Sequence, residues 1–110
     1  MRDSLEEYLE ILEGQNKATG TLQQYSGGLK AFDRWLDEED ADPTGLTTRD
    51  IQRYLSWLNR EGYAPKTVRG YFSPVSGYYA DLKAAREIEE DPTDDVVVAD
   101  SARVGPNVTI

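Results

Sequence analysis

The chain has 110 residues, enough for one domain with a modest core, and its 21 acidic against 12 basic side chains give a net charge of −9. It has no cysteine and no histidine. That excludes a disulfide framework and a Cys/His metal site, removes the commonest general base, and argues against an enzyme in its own right, with no cofactor called for.

In chain order, Ser4-Leu5-Glu6-Glu7 reads as a capping box, and Leu5, Tyr8, Leu9 and Leu12 form one apolar stripe, so a first helix is expected over about 4–16. Thr19 or Thr21 can cap a second helix, whose apolar positions Leu22, Tyr25, Leu29, Phe32 and Leu36 step by three and four. Asp42-Pro43-Thr44-Gly45 is a turn signal. Thr47-Thr48-Arg49-Asp50 then offers a second capping pattern ahead of Ile51, Tyr54, Leu55 and Leu58, with Gly62 placed to end a third helix. Pro65 suits the first turn of a fourth, in which Val68, Phe72, Val75, Tyr79 and Leu82 keep the spacing. Pro74 in its middle should bend that helix or split it at Ser73. After Asp91-Pro92 no helical period remains, and residues 93–110 read as a linker or tail, expected to be loosely packed after about residue 95, with a short strand at Val96 to Val98 as the one regular element it could hold. Val96 to Val98, extended by Ala99, is also the longest apolar run, far short of the roughly 20 residues of a membrane span, and the acidic N-terminus lacks a signal-peptide pattern. A cytoplasmic protein without membrane contact is expected.

The pattern predicts one core containing Leu9, Leu22, Leu29, Phe32, Ile51, Leu55, Leu58, Val68, Phe72 and Val75. Tyr25, Tyr54 and Tyr79 fall at core spacing, whereas Tyr63, Tyr71 and Tyr78 read either as stacking groups for a partner or as ordinary amphipathic surface. Gly27-Gly28 inside the second helix implies either tight helix packing or close approach of a ligand.

Charge is unevenly spread. Residues 62–80 contain Lys66 and Arg69 and no acid, and residues 17–36 hold Lys17, Lys30 and Arg34 against Asp33 alone, so the acid excess lies at Glu6 to Glu13, Asp37 to Asp42 and Glu87 to Asp100. Those acidic runs read as a partner-binding surface or, preferred here, as the solvated shell of a halophile's protein. Opposite its apolar stripe the fourth helix presents Lys66, Arg69 with Gly70, Ser73, and Ser76 with Gly77; the second presents Gln23, Gly27, Lys30 and Arg34, with Gln24 at the side. Small residues permit close approach and Gln, Lys, Arg and Ser reach phosphates and base edges, which suggests a DNA cradle. The plainer alternative is solvated charge paired with nearby acids.

The blocks Ala18-x-x-Thr21-x-x-x-Tyr25-x-x-x-Leu29-x-x-Phe32-x-x-Trp35-Leu36, Thr47-x-x-Asp50-Ile51-x-x-Tyr54-Leu55-x-x-Leu58, and Thr67-Val68 through Tyr78-Tyr79 to Asp91-Pro92 resemble, in order and interval, the N-terminal core-binding domain of tyrosine recombinases, the phage-integrase family. With the acid bias, the chain looks like a haloarchaeal member. The resemblance implies an all-α fold, a four-helix SAM-like orthogonal bundle over residues 1–92, with an irregular C-terminal tail at 93–110 leading toward a catalytic domain. It implies double-stranded DNA as partner, one half of a C-shaped clamp formed with the chain's own C-terminal catalytic domain, and leaves a homo-oligomer on DNA open. Carried over by position, it assigns phosphate contacts to Thr21, Lys30, Arg34, Lys66 and Thr67 and groove-facing roles to Gln24, Arg69 and Ser73. The family's catalytic set needs a histidine, absent here, so strand cleavage is not expected from this chain, and none of its tyrosines is read as the nucleophile. The family's usual Asn-Pro is Asp91-Pro92 in this sequence. A competing reading is an acidic helical protein-protein interaction domain anchored by Tyr63, Tyr71 and Tyr78.

Overall fold

The computed structural model describes residues 1–15 and 18–96. These form an all-α bundle of the expected kind, with α1 at Asp3–Glu13, α2 at Thr19–Glu39, one 3-10 turn at Pro43–Gly45, α3 at Thr48–Arg60 and α4 at Pro65–Ala84. No described helix is long and apolar enough to cross a membrane.

Where start and stop signals are local, the helices obey them. The Thr47 hydroxyl accepts from the Asp50 amide while the Asp50 carboxylate accepts from the Thr47 amide, so the capping box of α3 is complete. Gly62, at φ 97°, supplies the left-handed turn beyond that helix, and Pro65 occupies the first turn of α4. The first two helices depart from the sequence reading. Arg2, not Ser4, is the N-cap of α1, and Ser4 lies inside the first turn with its hydroxyl 2.8 Å from the Tyr78 hydroxyl. The backbone N–H of Arg2 donates to the Asp33 carboxylate at 3.1 Å and its Nε to the same oxygen at 2.6 Å, fixing the chain ahead of the local box. Neither Thr19 nor Thr21 caps α2, whose N-cap is Ala18 with no side-chain bond. The first helix ends at Glu13, and position 16, where it was expected to stop, lies outside the described residues.

The core gathers on Phe32. Its ring lies 6.0 Å from Trp35, 5.0 Å from Tyr54 and 6.1 Å from Tyr79, with Leu29, Leu36, Ile51, Leu55, Leu58, Val68, Val75 and Leu82 buried around it. Leu9, Leu22 and Phe72, expected inside, are partly buried and pack on its margin. Two buried tyrosines satisfy their hydroxyls on backbone: Tyr79 donates to the Pro43 carbonyl at 2.7 Å and Tyr54 to the Gly28 carbonyl at 3.4 Å. Burial pushes both phenols above their ordinary pKa. Tyr78 is a correction to the surface reading: it is fully buried, wedged between Tyr8 of α1 and Tyr79.

α4 makes its most extensive contact with α2. A Cβ on Gly28 would stand 2.7 Å from the Tyr71 carbonyl oxygen and 2.9 Å from Cγ of Pro74, so the two backbones meet where α2 has no side chain. This decides between the two readings of Gly27-Gly28 in favour of packing. Of the two expectations for Pro74, a bend or a split at Ser73, the split does not occur: α4 continues from Pro65 to Ala84, and the proline ring is buried in the space that Gly28 leaves. At the C-terminal end, Asp91 accepts from the Thr93 amide at 2.8 Å, Pro92 and Thr93 are buried, and Val96 packs on the core margin. Packing therefore continues through Val96; the tail expected to be loosely packed after about residue 95, and the strand proposed for Val96 to Val98, fall largely outside the described residues.

Two consequences can be measured. Gly28→Ala should lower the unfolding free energy by about 2 kcal/mol or more, because its Cβ meets backbone and a ring that cannot swing away. Gly20→Ala, also in α2 but with nothing within 4 Å of the added carbon, should be neutral or stabilising by up to about 1 kcal/mol; urea denaturation of the two variants tests the difference. The second concerns pH. Burial alone would raise the Asp33 carboxyl, but the hydrogen bonds and charge of Arg2 outweigh it and hold the group below its usual range. A depressed carboxyl stabilises the fold above the ordinary carboxylate pKa and loses that contribution as pH falls through its folded value. Asp33→Asn should therefore cost stability at neutral pH, and the gap from the native chain should close progressively below about pH 4 in denaturant midpoints.

Candidate nucleic-acid interface

The eight residues assigned by resemblance fall into three groups. At the first, α2 and α4 meet: the side-chain amide of Gln24 rests on Gly70, filling the place where any side chain at 70 would stand. Pro74 removes the hydrogen bond that the Gly70 carbonyl would otherwise accept, so the exposed amide of α2 sits at a break in the α4 ladder. Lys66 and Ser73 are exposed and lie one turn on either side of Gly70, on the same face. Thr21 and Thr67 are half-buried, each three residues before Gln24 and Gly70 respectively, and so run along the same seam one turn earlier. Arg69 flanks this row but is half-buried, and its Nη1 is shielded from solvent.

Lys30 stands apart. It follows Gly28 by two residues, about 200° around the helix, and Gly28 faces α4. Lys30 instead lines a cavity of about 380 Å³ between α1 and α2, together with Glu6, Glu10, Glu13 and Asp33. Arg34 forms the third group. Its Nη2 lies 3.5 Å from Glu61 and its guanidinium 4.9 Å from the Trp57 ring centroid, and a hydrogen bond with Tyr63, reinforced by Glu61, raises its pKa further. The structure thus brings Thr21, Gln24, Lys66, Thr67 and Ser73 to one seam, turns Lys30 toward the acidic face of α1, and ties Arg34 to α3.

The small residues read from the sequence as an open surface are mostly taken by neighbouring helices. Gly27 lies against the Tyr71 hydroxyl, where a Cβ would come within 3.0 Å, and Gly77 lies against the Tyr8 hydroxyl. Tyr63 and Tyr71 pack on each other at 5.2 Å between ring centroids.

Two sets of residues escaped the sequence reading. Arg2 donates to Asp33, to Asp37 at 2.6 Å and to the Ala41 carbonyl at 3.5 Å, a structural use of charge that nothing local announces. On α3, Arg49, Gln52, Arg53, Ser56 and Arg60 line a shallow hollow of about 280 Å³. Their three-four spacing was available in the sequence; Asp50 and Glu61 in the same segment masked it from a count by segment. Among the described residues no three His, Cys, Asp or Glu side chains are grouped to hold a metal ion.

The family model described as phage integrase, N-terminal SAM-like domain, matches residues 5–86. A protein of Caldanaerobacter subterraneus subsp. tengcongensis named as a tyrosine recombinase is 28% identical over 88 residues, 79% of this chain and 30% of that protein. The tyrosine recombinase XerD of Pseudomonas aeruginosa is 29% identical over 76 residues, 69% of this chain and 26% of that protein, and XerD of Listeria monocytogenes 24% identical over 111 residues, 98% and 37%. The chain therefore spans between about a quarter and two fifths of the length of these relatives. No solved structure matches it.

Proposed function

The chain belongs to the phage integrase N-terminal SAM-like domain family, and from that premise we propose that it is the duplex-DNA-binding module of a site-specific tyrosine recombinase. In this reading residues 1–92 are the binding domain, residues 93–110 lead toward a catalytic domain, and strand cleavage belongs to that second domain. The observation that carries the proposal is the α2–α4 seam, where Gln24 meets Gly70 between exposed Lys66 and Ser73, on a helix with no acidic side chain from residue 62 to 80. A hydrogen-bonding amide, a hydroxyl and a lysine on a close-packed ridge supply both phosphate contact and base-edge contact. Lys30 and Arg34 are weaker members of this surface, since one faces the acidic side of α1 and the other is engaged by Glu61 and Trp57. The competing protein-interaction reading loses one of its three anchors, because Tyr78 is buried, while Tyr63 and Tyr71 are half-buried and pack on each other.

Lys66→Glu should weaken binding of the 110-residue chain to duplex DNA severalfold and reduce the slope of log affinity against log salt by about one, with thermal stability unchanged. Gln24→Ala should reduce discrimination between sequences more than overall affinity. Fluorescence anisotropy over a salt series reads both; an unchanged affinity for Lys66→Glu rules this surface out. We also propose that the acid-rich exterior is a halophile's shell. The expected result is a melting temperature that climbs steadily from about 0.1 M to about 2 M KCl as carboxylate repulsion is screened, and a flat profile contradicts it.

A further inference from the structure

We infer that the outward face of α3 is a second DNA-backbone surface of this domain, an inference that rests on the DNA-binding reading above. Arg49, Gln52, Arg53, Ser56 and Arg60 recur at three- and four-residue intervals on the face opposite buried Ile51, Leu55 and Leu58, and they line one hollow of about 280 Å³. Asn59 is exposed beside them. That face holds three arginines and no acidic residue in a chain of net charge −9. The two acids nearest in sequence are both paired: Asp50 with the Thr47 amide of the capping box and with Arg53 of this row, and Glu61 with Arg34. Arg53 is held by Glu39 and Asp50 yet keeps 57% of its side chain exposed, so it is oriented without being covered. Arg49 and Arg60 are exposed and make no ion pair among the described residues.

The chemistry selects the partner. Guanidinium groups bind phosphate oxygens in pairs of hydrogen bonds, and Gln, Ser and Asn between them add neutral donors suited to a phosphodiester backbone. The row contains no apolar or aromatic side chain to serve as the desolvated anchor that a protein interface needs. From Arg49 to Arg60 it extends about 16 Å along the helix, the axial rise of about five nucleotides in one strand.

The test compares the native chain, Arg49→Gln/Arg60→Gln, Arg49→Lys/Arg60→Lys and Lys66→Glu, each checked by thermal melting, in anisotropy titrations with a duplex over a salt series. The inference expects the glutamine pair to reduce the log–log salt slope by about two and the affinity about tenfold near 0.1 M salt, while the lysine pair retains the native slope. If Lys66→Glu weakens binding and the glutamine pair leaves the slope unchanged, the α3 surface is refuted and the α2–α4 proposal stands. If the native chain binds no duplex, the DNA-binding reading itself falls. Sedimentation without DNA supplies the other alternative: self-association that is lost in the glutamine pair, with DNA binding intact, makes the row a protein interface and overturns the inference.

Discussion

The close approach of α2 and α4 at Gly28 is the constraint on which the rest of the bundle turns. A single missing side chain lets the Tyr71 carbonyl and the Pro74 ring sit where a Cβ would otherwise stand. That contact fixes the rotation of α4 about its axis: with Pro74 directed at α2, Val68, Val75, Tyr79 and Leu82 are carried into the core around Phe32, and Lys66 and Ser73 are left outside. The Gly28 carbonyl, meanwhile, accepts from buried Tyr54 of α3, so three helices converge on one residue that has no side chain. A larger residue at this position would displace a proline that has no other place to go, and the candidate surface would rotate with it.

The basic residues divide by what holds them. Arg2 joins the start of α1 to two turns of α2, Arg53 joins α3 to the end of α2, and Lys83 lies 3.9 Å from Asp94 beyond α4; these charges help to assemble the fold. Lys66, Arg49 and Arg60 are exposed and carry no ion pair among the described residues, which keeps them available for an outside anion. A net charge of −9 slows the approach of a polyanion but does not forbid contact, because screening confines each charge to its own neighbourhood and lets a short basic row act locally. Binding by such a surface is expected to be modest in affinity and sensitive to salt.

Helix number, helix faces and most of the core were legible because each depends on a residue's neighbours in its own helix. The three-four spacing located Leu29, Phe32, Ile51, Leu55, Leu58, Val68 and Val75, all of them buried, and the capping box at Thr47, the turn at Gly62 and the start at Pro65 were read from a few adjacent residues. The order of the helical blocks was enough to suggest the family to which the chain belongs.

What the sequence left open depended on neighbours in space. Ser4 carries a capping signature but bonds to Tyr78, 74 positions away, and the start of α1 is set by Arg2 on Asp33. Pro74 reads as a helix breaker until Gly28 is opposite it. Tyr78 reads from the pattern as a surface residue, and the packing of α1 against α4 buries it. Lys30 and Lys66 look alike in a list of basic residues, yet one faces Glu6, Glu10 and Glu13 and the other faces solvent on a helix free of acid over residues 62 to 80. Periodicity gives the angle of a side chain about its own helix axis, and the sequence by itself determined that much. Which neighbour stands at that angle is set by how the helices pack, and only the tertiary structure decided it.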